Sequence, residues 1–149
     1  MTGSRVALLF AVAACTALPG ASAAATPEEQ EMVDALNAGR ADRNLPQLRL
    51  SPSLERSSFA FAQRLMRTDV FAHAERIQAG GRFRRLGEVL AWTPGLRLRR
   101  PRAVRMWLAS PGHRALILSR RFHYVGAGRA RGIFGGVPAT VWVVQLGSL

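Results

Sequence analysis

Residues 106–118, MWLASPGHRALIL, set a Ser-Pro step between two apolar stretches. Proline fits the first turn of a helix but cannot continue one already begun, and serine is a favoured N-cap. The segment therefore predicts one helix ending at Ala109 and a short second one, capped by Ser110 and running through His113 to Leu118. Upstream, Ala103, Val104, Trp107 and Leu108 recur at helical spacing, so the first helix covers about Arg102–Ala109 with that side inward. Downstream the period changes to two. Phe122–Ala130 and Ala139–Leu146 predict an antiparallel pair of strands joined by the glycine-rich loop RGIFGGVP. VWVVQL, residues 141–146, is apolar on both faces and predicts a central strand covered twice.

The N-terminal half reads as helices. Thr26, Pro27 and Glu29 form a capping-box pattern, and Met32, Val33 and Leu36 make an apolar stripe, so a helix should run from about Pro27 to Arg43. A second should start after Ser51 and reach about Arg67. Its buried face is Leu54, Ser58, Phe61 and Leu65, with Ala62 and Met66 beside them. Gly80-Gly81 breaks the following segment, and an extended piece covers Glu88–Trp92 before a turn at Pro94-Gly95. The stretch LRLRRPR, residues 96–102, reads as a solvated basic loop. Helices followed by strands with helices on both sides give a layered α/β/α arrangement.

At 149 residues the chain has room for one domain, and with 48% hydrophobic residues it can bury a core. Arg5, the apolar run VALLFAVAACTALPG and the small residues Ala21-Ser22-Ala23 read as a secretory signal peptide over 1–23, leaving 24–149 as the domain. The run is too short to span a bilayer comfortably. VAAC also resembles a lipoprotein site at Cys15, which makes lipid anchoring the alternative. Cys15 is the only cysteine, so cleavage at residue 23 leaves a chain with neither disulfide nor thiol nucleophile. The expected location is secreted, or periplasmic and cell-envelope.

All 21 basic residues are arginine, and from Arg76 onward 14 arginines face one acid, Glu88. Such a field attracts anions. For an exported monomer the expected partners are anionic envelope polymers or lipid headgroups, with peripheral membrane contact, rather than nucleic acid. Within the field, His73, Glu88 and His113 are the residues to weigh together. Histidine beside a carboxylate makes a metal site, a proton-transfer pair or a hydrogen-bonded core network. No H-x-x-x-H spacing is present.

Four blocks, in order, resemble the CAP superfamily (cysteine-rich secretory, antigen 5 and pathogenesis-related proteins, with the SCP-like domain), in its bacterial secreted branch. They are ALNAGRADRNLPQLRLSPSLERSSFAFAQRLM, FAHA, GEVLAW and MWLASPGHRALIL, with FHYVGAG after them. The resemblance covers about residues 28–147. It implies a three-layer α/β/α sandwich with a mainly antiparallel central sheet, and a cleft lined by His73, Glu88 and His113. It also implies that His73 and His113 can hold a divalent metal such as zinc, with Glu88 as third ligand or as an orienting group behind them. His123 matches no cleft position and reads as an exposed strand residue. Two departures stand out: Val89 replaces a cleft-rim asparagine, and Arg105 stands near Trp107 where an acid is usual.

Three functions follow. One is a module binding a lipid, wall fragment or other small ligand through the cleft or the arginine-rich face. Another is a hydrolase using a zinc-bound water, or a serine route through Ser110, His113 and Glu88. The third is a structural envelope protein. The shared cleft favours the first; Ser110 is better explained as a helix cap, and no G-x-S-x-G elbow is present.

Overall fold

A computed structural model describes residues 25–96 and 100–149. The signal-peptide and Cys15 readings lie outside the described residues, as does part of the basic loop. The elements are α1 (Pro27–Ala41), β1 (Arg49–Leu50), α2 (Pro52–Thr68), β2 (Arg85–Pro94), α3 (Arg100–Ala109), α4 (Pro111–Ile117), β3 (Tyr124–Phe134) and β4 (Val137–Ser148). The strands form one sheet in the order β1-β3-β4-β2, antiparallel except for the short β1–β3 pair. No described helix is long and apolar enough to cross a membrane.

The capping box forms as the sequence predicts: Thr26 Oγ1 accepts from Glu29 N, and Thr26 N donates to Glu29 Oε2. β4 is the central strand and is buried from Ala139 to Ser148. Its alternate residues feed two cores. Trp142, Val144 and Leu146 pack with Met32, Val33 and Leu36 of α1, Val104 and Trp107 of α3, and Ile117 of α4. Ala139, Val141 and Val143 pack on the other face with Ala62 and Leu65 of α2. That is a sandwich of helices, sheet and helix.

α2 lies unusually close to β3. A Cβ at Gly126 or Gly128 would fall under 3.0 Å from backbone atoms of Leu54 and Glu55, or of Ser58 and Phe59. The two glycines, one period of the strand apart, are what lets the helix backbone rest on the sheet. Ser58 Oγ donates to Gly126 O (2.9 Å) across the same contact, which explains a serine in a buried stripe.

Three expectations change. RGIFGGVP is mostly strand: β3 runs to Phe134, and Gly135-Gly136, both at positive φ, make a two-residue hairpin turn that favours glycine at both positions. The piece at 88–92 is longer, Arg85–Pro94, because β4 pairs with it throughout. Ser110 holds the N-cap position of α4, but its hydroxyl makes no capping bond.

Candidate functional site

β2 is an edge strand, and Glu88 points from it to the α2 side of the sheet, opposite Gln145 of β4. Its side chain is 5% exposed, so each carboxylate oxygen needs a partner. Gln145 Nε2 donates to Oε2 (3.0 Å). Ala74 N and His73 Nδ1 donate to Oε1, each at 3.0 Å. Accepting from Nδ1–H fixes the tautomer of His73 and leaves its Nε2 available. The ring itself is open, 59% exposed. A buried carboxylate thus holds an exposed imidazole by one edge, and the Ala74 amide bond fixes the loop that carries it.

His113 is placed differently. It stands in the first turn of α4, half-buried, with Nδ1 at 3.0 Å from Ser110 Oγ. Burial, and after it the charge of His73, lowers its pKa below the ordinary histidine value. The two rings therefore share an electrostatic neighbourhood, while the hydrogen bonds join His73 to Glu88 and His113 to Ser110. His123 is exposed immediately before β3, with its backbone N and O paired to Gly147 and Arg49.

Among the described residues no group of three or more His, Cys, Asp or Glu side chains is arranged to hold a metal ion. The hydrogen bonds give the reason for Glu88: both oxygens are already engaged. The residues do not fit a zinc centre with Glu88 as third ligand.

The two departures are also relocated. Val89 alternates to the opposite face from Glu88 and is fully buried in the core with α1 and α3, so it is not a rim residue. Arg105 sits exposed on the outer side of α3.

Sequence reasoning misses two features. Gln145 reads only as part of a buried strand, although a lone amide in VWVVQL is the signal that something polar must meet it. Its Nε2 serves Glu88, but its buried Oε1 has no hydrogen-bond partner. The second is an aromatic shelf on the same face. Phe134 packs edge-on against Phe71 (6.2 Å between centroids) and tilted against Trp92 (5.4 Å). Phe71 is 42% exposed and Trp92 37%. Phe71 lies two residues before His73, and Trp92 lies four after Glu88 on β2, about 13 Å along the strand. The polar group and the shelf lie on the same face of the sheet, with buried Leu90 between them on β2.

The cysteine-rich secretory protein (CAP) family model matches residues 33–146. The chain belongs to the CAP family. Solved CAP-like structures superpose on it. An outer surface protein from Borrelia burgdorferi gives a TM-score of 0.68 at 20% identity, covering 84% of this chain and 96% of that one. An extracellular SCP-domain protein from Bacillus anthracis gives 0.64 at 18%, covering 85% and 45%. NaASP2, solved with Zn2+, gives 0.60 at 13%, covering 81% and 80%. At these identities the likeness establishes the CAP fold. A search of curated proteins gives no match.

Proposed function

We propose that this CAP domain is an exported binding module that takes a small amphiphile across the α2-side surface, with a hydrogen-bond-donating polar head at His73 Nε2 and an apolar part on Phe71 and Trp92. The observation that carries the reading is an exposed imidazole held by a buried carboxylate on the same sheet face as a half-open aromatic shelf, both carried by the segment 71–74 and by β2. Binding is favoured over acyl transfer because Ser110 and His113 pair within one helical turn, away from the hydrogen bonds of Glu88. The signal-peptide pattern and the extracellular Bacillus and outer-surface Borrelia relatives support export.

Trp92 supplies the test. It is the exposed tryptophan of the three, since Trp107 and Trp142 are buried. Decan-1-ol titrated against the protein should shift tryptophan emission, and His73→Ala should weaken the apparent affinity about tenfold, the loss of one hydrogen bond from the alcohol to Nε2. Emission that does not move, or equal affinity in both proteins, would remove the proposal.

A further inference from the structure

A second surface lies on the opposite side of the sheet from α2. On α3, Arg102, Arg105, Met106 and Ala109 line a shallow depression. On α4, Pro111, Arg114, Ala115 and Leu118 line another, which Ala109 shares. Each set follows i, i+3, i+4, i+7, so it is one helical stripe. The inward stripe of α3 is Ala103, Val104 and Trp107, so the core does not use the outward one. The two outward stripes meet at Ala109 and make one exposed face: an apolar floor flanked by three arginines.

The charge on this face has no internal counterpart. No acid follows Glu88 in the sequence. Among the described residues Arg100 pairs with Glu31, and Arg129 and Arg131 with Glu28, while Arg102, Arg105 and Arg114 have no acidic partner. Three uncompensated guanidinium groups raise the local anion concentration and match phosphate oxygens well. The floor decides which anion. Met106 is 53% exposed, and Ala109, Pro111 and Ala115 are exposed beside it. A hydrophilic polyanion would contact the arginines and leave that floor wet. An anionic bilayer offers phosphate at the arginine level and the upper segments of its acyl chains just beneath it.

We propose that the outward face of α3 and α4 docks the domain on anionic phospholipid membranes, with Arg102, Arg105 and Arg114 on headgroup phosphates and Met106 at the headgroup–acyl boundary. This surface is separate from the ligand face at His73.

The test is co-sedimentation of the exported chain with phosphatidylcholine vesicles, with and without phosphatidylglycerol. Binding should require phosphatidylglycerol and fall as salt is raised, since exposed charges are screened within about 10 Å at 0.1 M. Each arginine near the surface contributes about a fivefold factor, so Arg102→Gln with Arg105→Gln should lower partitioning about 25-fold. The charge-matched pair Arg64→Gln with Arg67→Gln, exposed on α2, should lower it far less. Met106→Ser should lower vesicle binding a few-fold and leave binding to soluble polyphosphate unchanged. His73→Ala should dock normally, which separates this result from failure of the ligand proposal. Equal losses from the two arginine pairs would mean net charge alone acts and would overturn the docking face. Polyphosphate binding as tight as vesicle binding, with Met106→Ser silent in both, would make the face a polyanion site and overturn the membrane proposal.

Discussion

Gly128→Ala should leave the chain unable to seat α2 on the sheet, at a cost of about 3 kcal/mol or more. The added methyl group would meet Phe59 N, Ser58 C and Phe59 Cα, all backbone atoms. A flexible side chain could swing aside; a helix backbone cannot, so α2 must lift along its length. Lifting loosens Ala62 and Leu65 from Val141 and Val143 and stretches the Ser58–Gly126 bond. A domain of this size has only about 5–15 kcal/mol of total stability, so the variant should show a large drop in urea midpoint or fail to accumulate. Gly80→Ala is the control. Nothing lies within 4 Å of its added Cβ and its φ is not positive, so it should stay within about 0.5 kcal/mol of wild type.

Arg40→Met should be nearly as damaging. Arg40 is 1% exposed, and its guanidinium donates to three carbonyls: Pro46 O (2.9 Å) from Nε, and Ile117 O (2.6 Å) and Ser119 O (3.0 Å) from Nη1. It ties the C-terminal end of α1 to the loop before β1 and to the C-terminal end of α4. Those carbonyls sit at a turn and at a helix end, where backbone partners run out. Burial, with Arg120 nearby, pulls the Arg40 pKa below its usual value. Methionine fills similar volume and removes the cost of burying a charge. It also leaves three acceptors unpaired, at about 1–3 kcal/mol for each that water cannot reach. The second effect is larger, and a net loss of about 2–4 kcal/mol is expected by urea denaturation. Arg40→Lys should fall between, because one ammonium cannot reproduce the fork that spans Pro46 and Ile117.

The fold is legible where local chemistry and tertiary packing agree. The capping box at Thr26, the Ser-Pro steps before α2 and α4, and the double-sided strand 141–146 each carry their own physical signal. Asn37 and Arg40 lie in a familiar block, but only the structure shows their work: Asn37 exchanges two hydrogen bonds with the Leu48 backbone while Arg40 gathers distant carbonyls. The hairpin is hidden because glycine density reads as loop, whereas here Gly132 lies within β3 and only Gly135 and Gly136 turn. At the site, His73 is hydrogen-bonded to Glu88, while His113 is hydrogen-bonded to Ser110. What the sequence could not supply is facing. Val89 and Glu88 are neighbours in the chain and opposites in the sheet, a period-two fact that needs the strand's register. The Ser110 hydroxyl, free to cap α4 or to meet His113, takes the ring instead.

Glu88 is proposed to hold His73 for ligand binding and not itself to ligate a metal. Thermal and urea melts of wild type and Glu88→Gln, in chelator and across a zinc titration, test it most directly. Glutamine keeps the shape and loses the charge assistance, so the account predicts a stability loss of about 1.5–3 kcal/mol, the same in chelator and in zinc. A wild-type melting temperature that climbs with zinc, together with a Glu88→Gln variant needing about 10–100 times more zinc for the same gain, would contradict it and make the site a metal centre.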